Sequence, residues 1–393
     1  MKVLIANPGS TSYKCKLFEM DTEKILFQAS VERIGEDMGS CSWTSANQEK
    51  MKKELAIPDY ETAVKMTLDS LNEVLPVSEV DAVGFKTVLA KDITGCVLLD
   101  DRVLEAMKAY LPLAPVHNQV YLTAISIFKK LLKDKPLIGL FETAFHVKIP
   151  PEAYIYGIPF EWYEKYAVRK YGFHGASHHF IADRVRELYG AENIISCHLG
   201  GSSSVCAIHK GMSVDTSMGM SPQSGLLNAK RVGDLDPFAL LYLMDREKLS
   251  TDRMREILIT QGGVQGISGI GGDLREVERV MDQGSERAAL AFKTFAYVVK
   301  RYIGEYLAIL NGTDYIVFTG GIGEHSSKMR KAILKDMENL GIILDEEKNT
   351  SNPREGIISS STSKVKVAVI PTNEELIVAR EVTKKLMNKS DEK

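Results

Sequence analysis

Two stretches half a chain apart share one design, and that repetition restricts the folds open to this sequence. The first is Leu4-Ile5-Ala6-Asn7-Pro8-Gly9-Ser10-Thr11-Ser12-Tyr13-Lys14-Cys15. The second is Asn193-Ile194-Ile195-Ser196-Cys197-His198-Leu199-Gly200-Gly201-Ser202-Ser203-Ser204-Val205-Cys206-Ala207-Ile208. Each reads as an apolar strand, a turn of glycine and small hydroxyl residues, and a second strand. Laid over one another without a gap, Gly9 meets Gly200, Ser12 meets Ser203 and Cys15 meets Cys206. Glycine lets the backbone turn and approach a ligand closely. A turn offering several N–H groups and short hydroxyls suits phosphate oxygens. One such turn is equally an ordinary hairpin. Two of them point to a duplicated architecture with both turns facing one central cleft.

A chain of 393 residues is long for a single core and is expected to form two domains. Its 44% hydrophobic and 26% charged residues are those of an ordinary globular protein. The net charge of −3 gives no electrostatic case for a nucleic-acid or membrane-surface partner. No uninterrupted apolar run reaches bilayer length, and the sequence enters a strand pattern at once with no leader. Five cysteines without C-x-x-C spacing argue against a disulfide framework and against structural zinc. The expectation is a reduced, cytoplasmic protein.

Strand patterns continue from Lys16 to Arg33 as an antiparallel meander, and 35–60 reads as a polar, irregular surface excursion carrying Trp43. Helical spacing covers Ala63 to Leu75, and Ala82 to Val88 is a strand. Helices follow near 101–110 and 119–133, separated by a break at Pro112, Pro115 and His117-Asn118. Pro136 to Phe141 is a buried strand ending in Glu142. The proline- and aromatic-rich segment 147–176 places a domain boundary near 150. Beyond it come a helix from Ile181, a loop-rich region from Asp215 to Pro237, helices over 238–260, a glycine-punctuated Gly262 to Gly272 and a long helix near 284–310. Strand Tyr315 to Thr319 opens onto Gly320-Gly321-Ile322-Gly323-Glu324. Strand Val365 to Ile370 leads to Pro371-Thr372-Asn373-Glu374-Glu375 and a last helix, with Asn388 to Lys393 as a frayed tail.

Several of these stretches carry chemistry. Gly320 to Gly323, between strand and helix, suits a nucleotide, since glycine admits a base or ribose and a helix start favours anions; it equally suits a tight strand–helix turn. Neither the P-loop nor the dinucleotide fingerprint is present. Asn228-Ala229-Lys230-Arg231-Val232-Gly233-Asp234-Leu235-Asp236-Pro237 reads either as a surface salt-bridge loop or as a loop whose Arg231 clamps a transferring phosphoryl group. His174, with His178 and His179, suits donation to an oxyanion better than a metal cluster. His117 and His198 read as satisfied polar residues or as ligand contacts. Glu142, and Glu374 or Glu375, follow strands where carboxylates commonly hold Mg²⁺; Thr372-x-x-Glu375 also resembles a capping box.

Together the motifs resemble the acetate kinase family (acetate, propionate and butyrate kinases) within the sugar kinase/Hsp70/actin superfamily, from residue 1 to about 385. They run in the family's order: Asn7-x-Gly9-Ser10-x-Ser12-x-Lys14; Ala114-Pro115-Val116-His117-Asn118; Thr143-Ala144-Phe145-His146; Tyr171-Gly172-Phe173-His174-Gly175-x-Ser177-His178; His198-Leu199-Gly200; Ser213 to Gly219; Arg231-x-Gly233-Asp234-x-Asp236-Pro237; Phe318-Thr319-x-Gly321-Ile322-Gly323-Glu324; and Ile370 to Glu375. The resemblance implies an α/β fold of two actin-like, ribonuclease H-like domains of duplicated βββαβαβα type around a cleft, paired as a homodimer. The domains would be 1–150, with the last helix packing back on it, and 151–385 with the nucleotide site, followed by a tail at 386–393. It implies reversible transfer of the γ-phosphoryl of ATP to a short carboxylate, with Mg²⁺ or Mn²⁺, giving an acyl phosphate and ADP. Arg231, His174 and Glu142 would be catalytic, and Asn7 and Glu374 would hold the metal. Lys86, Val88, Val116, Phe173 and Pro222 would bind the acid. Ser10, Ser12, Lys14, His198, Gly200 and Gly201 would line the phosphate path, and Asp273, Leu274, Arg275, Gly321, Ile322 and Gly323 would hold adenosine.

Four positions depart from the family pattern. The substrate-binding Arg is Lys86, which keeps the charge but loses the planar two-point grip. The catalytic Asp is Glu142, one methylene longer. The Asn after His-Leu-Gly is Gly201, and the Asn after Gly-Ile-Gly-Glu is His325. The departures suit acetate or a similar acid as acceptor, a propionate- or butyrate-type kinase with an altered acyl pocket, or a weakened ATP-binding regulator. A sugar or glycerol kinase would need a hydroxyl-activating Asp and no pair of cations around a carboxylate.

Overall fold

The computed structural model describes residues 1–44, 49–113 and 115–390, with the side chains of 115–117 and 389–390 outside the description. The chain forms two compact units, Met1–Ala144 with Asn373–Lys393, and Phe145–Thr372. The division falls at 144/145 rather than 150, and the last helix belongs with the first unit. Locally this follows from His146, whose ring is bonded to Ser213 Oγ (2.8 Å) and to the Phe173 carbonyl (2.9 Å), tying the turn after Ala144 to the second unit.

In the first unit the strands are β1 (Lys2–Pro8), β2 (Ser12–Glu19), β3 (Lys24–Glu32), β4 (Gly39–Thr44), β5 (Lys50–Leu55), β6 (Ala82–Thr87), β7 (Cys96–Leu98) and β8 (Leu137–Phe141). They form one sheet in the order β5-β4-β3-β2-β1-β6-β8-β7, with β1, β6 and β8 parallel. In the second unit β9 (Asn193–His198), β10 (Ser204–His209), β11 (Met212–Thr216), β12 (Tyr315–Thr319), β13 (Gly356–Ile357) and β14 (Lys366–Val369) run in the order β11-β10-β9-β12-β14-β13. The two orders coincide once β4 and β5 are set aside. In each, the hairpin that opens the unit's sheet supplies the strand at which antiparallel pairing gives way to parallel pairing. The duplication is therefore topological. The gapless overlay slips by one residue across the turn: Ala6 faces Cys15, whereas Cys197 faces Val205.

Alternation along the strands decides what each face holds. On β6, Val83 and Phe85 are wholly buried, and Phe85 meets Phe128 of helix Pro115–Leu131 edge-on at 5.4 Å. Gly84 and Lys86 face the other way, toward helix Glu374–Ser390. A Cβ on Gly84 would stand 3.1 Å from Val382 and 3.2 Å from Val378 of that helix, so glycine is what lets the helix lie this close. In the second unit, Ile195, Cys197 and Val205 pack under helix Glu286–Ile309, while Ile194, Cys206 and Ile208 pack under helix Gly175–Tyr189.

Several expectations are corrected. The described part of 35–60, residues 35–44 and 49–60, is not an irregular excursion, and 45–48 lie outside the described residues. The described part contains β4 and β5, and Gly39, Cys41 and Trp43 alternate inward with Ser40 and Ser42 between them. The alternation is only six residues long and its inward set includes a glycine, which hides the period. The helix expected over 119–133 begins at Pro115, where proline's missing N–H costs nothing in a first turn. The last helix continues to Ser390, so 388–390 are helical; 391–393 lie outside the described residues. Asn373, not Thr372, caps that helix, its Oδ1 accepting from Leu376 N at 3.3 Å. Among the described residues no helix is long and apolar enough to cross a membrane.

Trp43 is 4% exposed, and replacing a buried tryptophan by alanine costs about 3–5 kcal/mol. Trp43→Ala should lower the urea midpoint of the first unit by that equivalent; a shift within error would place Trp43 back on the surface.

Candidate active site

In the first unit the carboxylates converge on one cation. Glu142 is the residue after β8 and Glu374 the first residue of the last helix, so both lie at element ends on the face where β6 directs Lys86. Lys86 Nζ lies 3.2 Å from Glu142 Oε1 and donates to Glu374 Oε2. Burial pulls the ammonium pKa down, but Glu374 and Glu142 outweigh it and hold the pKa well above its ordinary value. Tyr121 Oη donates to Asn7 Oδ1 at 3.2 Å; burial raises the phenol's pKa, and Lys86, Glu142 and Glu374 all act on it electrostatically. Asn7, Lys86, Glu142 and Glu374 thus share one neighbourhood, with Tyr121 at its centre. Glu374 and Glu375 are both half-buried, and Glu375 pairs with Lys16 at 3.5 Å. An open trough of about 470 Å³ on the same unit is lined by Asn7, Lys14, Lys16, Ser30, Ser42 and Glu375. Val88 is buried just beyond β6. Ser12 opens β2, its carbonyl accepting from Gly9 N at 2.8 Å to close the first turn over Ser10. Val116 and His117 fall where side chains are outside the description.

In the second unit backbone turns interlock. Leu199 O accepts from Ile322 N (2.8 Å) and Gly323 N (3.2 Å), joining the Gly200 turn to the Gly320 turn. Gly201 O accepts from Ala229 N (3.1 Å), and a Cβ on Gly272 would meet Ala229 O at 2.5 Å. Asn228 Oδ1 accepts from Ser203 N at 2.6 Å. The glycine turns at 200 and 272 therefore flank the loop that carries Arg231, and the turn at 320 joins them through Leu199. A Cβ on Gly201 would meet nothing within 4 Å, so the site has room for the asparagine of the family pattern there.

Arg231 donates to the Ser202 hydroxyl, and burial lowers its pKa to about 10. Among the described residues no carboxylate pairs with it. The salt-bridge reading of its loop is corrected on this point: Asp234 is taken by Arg301 (3.2 Å) and Tyr302. A guanidinium half-buried without a carboxylate partner loses hydration that nothing replaces, and an incoming anion would relieve that cost.

His174 caps helix Gly175–Tyr189 with a left-handed backbone, φ 56°. Its ring stacks on His198 at 4.3 Å between centroids, and its Nδ1 lies 2.8 Å from Ser204 Oγ. His198 Nδ1 is 2.8 Å from Ser177 Oγ. Among the described residues no group of three or more His, Cys, Asp or Glu forms a metal cluster here. Phe173 and Pro222 are buried. Asp273 caps helix Leu274–Asp282 and pairs with exposed Arg275 at 2.6 Å. Leu274 is packed in the core under helix Glu286–Ile309, so its side chain is committed to packing. Gly321 and His325 are exposed.

Sequence reasoning did not find Tyr121 or Arg330, and it named Ser202, Ser204 and Asn228 only within their motifs, with no role of their own. Arg330 is wholly buried and donates to Gly323 O (2.8 Å), Glu324 O (3.0 Å) and the side chains of Asn349 and Asn352 (2.8 Å each), bracing the end of helix Gly320–His325. No local signal marks it, since an arginine in the middle of a helix is ordinarily a solvent-facing residue.

The Acetokinase family profile matches residues 2–380. The acetate kinase of Natranaerobius thermophilus is 41% identical over 391 residues, covering 97% of this chain and 98% of that one. That of Dictyoglomus turgidum is 44% identical over 394 residues, with 98% and 97% covered. The crystal structure of Porphyromonas gingivalis acetate kinase superposes with a TM-score of 0.87 at 37% identity, covering 98% and 99%. A propionate kinase from Francisella tularensis superposes with a TM-score of 0.90 at 33% identity, covering 97% and 98%. Fold and sequence are those of ATP-using phosphotransferases whose acceptor is a carboxyl group. The chain belongs to the acetokinase family.

The site's buried histidines make stability depend on pH. Burial holds His146 at about 4, against an ordinary 6.5, and holds His178 well down as well. Both stay neutral in the fold while the unfolded chain takes up protons below 6.5. Stability is therefore complete above that value and is lost as the pH falls toward 4, by about 3 kcal/mol for His146 alone. Urea unfolding between pH of about 7 and about 4.5 should show this decline, and His146→Gln should flatten it. An unchanged slope would refute the assignment.

Proposed function

We propose that the chain transfers the γ-phosphoryl group of ATP in line to acetate or a similar short acid, reversibly, giving an acyl phosphate and ADP. The observation that carries the reading is Arg231, a half-buried guanidinium with no carboxylate partner among the described residues, bonded to Ser202 of the glycine–serine turn that follows His198. Phosphoryl transfer is catalysed mostly by positioning and by fixed charge at the equatorial oxygens. Arg231 and His174 would supply that charge and hydrogen bonding, and His198, Gly200, Gly201, Ser12 and Lys14 would line the phosphate path. Asp273, Arg275, Gly321, Ile322 and Gly323 would hold adenosine, Leu274 through its backbone.

Lys86 would attract the acid's carboxylate, with Val88, Val116, Phe173 and Pro222 around its alkyl end, and Glu142 would orient Lys86. The hard oxygens of Glu374 and Asn7 suit Mg²⁺ or Mn²⁺, which keeps most of its waters and needs few protein ligands. When bound, the metal would neutralise charge on the phosphates. Lys86 offers a point charge where an arginine would offer a planar fork, and this favours tolerance among short acids over a single one. The similarity to a propionate kinase, with a TM-score of 0.90, supports including longer acids. A cytoplasmic setting agrees with five free cysteines.

A homodimer is proposed through helix Pro237–Glu247. None of its residues is buried, and Phe238 (75%), Tyr242 (61%) and Leu241 (56%) are exposed. Phe238→Asp should convert the protein to a monomer in sedimentation; an unchanged dimer would move the interface elsewhere.

Purified protein with Mg-ATP and a panel of short acids should yield acyl phosphate, trapped by hydroxylamine. Arg231→Ala should lower kcat by about a hundredfold or more while leaving ATP binding within about tenfold. No hydroxamate with any acid would overturn the kinase reading in favour of an ATP-binding regulator.

A further inference from the structure

Behind His174 runs a chain of buried hydroxyls and imidazoles that the proposed chemistry does not use. Ser196 on β9 and Ser204 on β10 lie on the sheet face covered by helix Gly175–Tyr189, and His178 of that helix lies between them. His178 Nδ1 is 2.9 Å from Ser196 Oγ, and its Nε2 is 2.8 Å from Ser204 Oγ. Ser204 Oγ is in turn 2.8 Å from His174 Nδ1. Ser196, His178 and Ser204 are wholly buried.

Satisfaction of these groups sets the direction of every bond. The Ser196 hydroxyl has one acceptor in reach among the described residues, His178 Nδ1, and a buried hydroxyl without an acceptor is costly. Ser196 therefore donates to His178 Nδ1. A neutral imidazole whose Nδ1 accepts carries its proton on Nε2, so His178 donates to Ser204 Oγ. Ser204, whose oxygen now accepts, gives its own proton to His174 Nδ1. We propose that Ser196, His178 and Ser204 form a one-way donor chain that fixes the proton of His174 on Nε2, making His178 and Ser204 positioning residues for the phosphoryl-side histidine. The functional consequence rests on the role proposed above for His174: a ring locked in this tautomer offers an N–H to a phosphoryl oxygen, whereas the other tautomer would offer a lone pair and repel it. The stacked His198 is set the same way, since the buried Ser177 hydroxyl finds its acceptor among the described residues in His198 Nδ1.

Long-range proton–nitrogen correlation NMR on the full chain carrying isotope-labelled histidine reads each tautomer directly, with the His174 signals identified by their loss in His174→Gln. In the unmodified protein His174 and His178 should both show the Nε2–H pattern; a proton on Nδ1 of His174 would overturn the proposal. Ser204→Ala should move His174 to a mixture of tautomers while His146, held by Ser213 and the Phe173 carbonyl, keeps its signals as the control for folding. An unchanged His174 would again overturn it. Should Ser204→Ala lose the His146 signals, Ser196→Ala decides: His178 leaves its pattern and His174 follows, and a His174 that does not follow refutes the chain. In turnover, Ser204→Ala should lower kcat about tenfold with KM for ATP within about twofold. An unchanged kcat would remove the positioning role. The spectra require no turnover, so failure of the donor chain and failure of the kinase reading are separately visible.

Discussion

The second unit's site depends on one carbonyl. Leu199 leaves β9 with its N–H given to Thr319 and its oxygen accepting from Ile322 and Gly323. The strand end, the Gly200 turn and the start of helix Gly320–His325 are thereby held as one piece. Gly320 makes this possible: its φ is +76°, and a Cβ there would stand 2.7 Å from the Leu199 oxygen. Arg330 braces the same helix from the other end through the carbonyls of Gly323 and Glu324, its buried charge answered by the helix's negative C-terminal pole. The turns that would meet phosphate are therefore rigid before any ligand arrives, which is what electrostatic preorganisation requires.

The two units treat their central cations in opposite ways. Lys86 is over-supplied, with Glu142 and Glu374 both upon it. Arg231 is under-supplied, and burial lowers its pKa, with no carboxylate among the described residues to compensate. A saturated cation is a positioned one, and a half-buried cation without a carboxylate is a demand for an anion. In the proposed reaction the first would orient the acid once Glu374 turns to the metal, and the second would receive the phosphoryl group. Lysine at position 86, where the family pattern has arginine, would in the proposed reaction act on the half of the chemistry that distinguishes one acid from another.

Much of this was readable from the residues. The paired turns, the strand–Gly-Gly–helix junction at Thr319 and the order of the motifs led to the correct topology and family. What escaped was of two kinds. Trp43 and its strand were missed because six residues with a glycine among the inward positions carry too little periodicity to register. Arg330 was missed, and Ser204 was read only as one hydroxyl of a turn, because their importance lies in partners distant in the chain. Asn373 displaced Thr372 as the cap because the decision between neighbouring cap residues is made by the angle at which the chain enters the helix.

By itself the sequence determined the repeated hairpins, the strand and helix inventory around them and the family, because these follow from short-range patterns of size, hydrophobicity and glycine. Tertiary structure alone decided which charges meet, such as Lys86 and Glu374 at 288 residues' separation, and which nitrogen of His174 holds its proton. Pairing and tautomer depend on which groups lose water together, and that is a property of the packed fold.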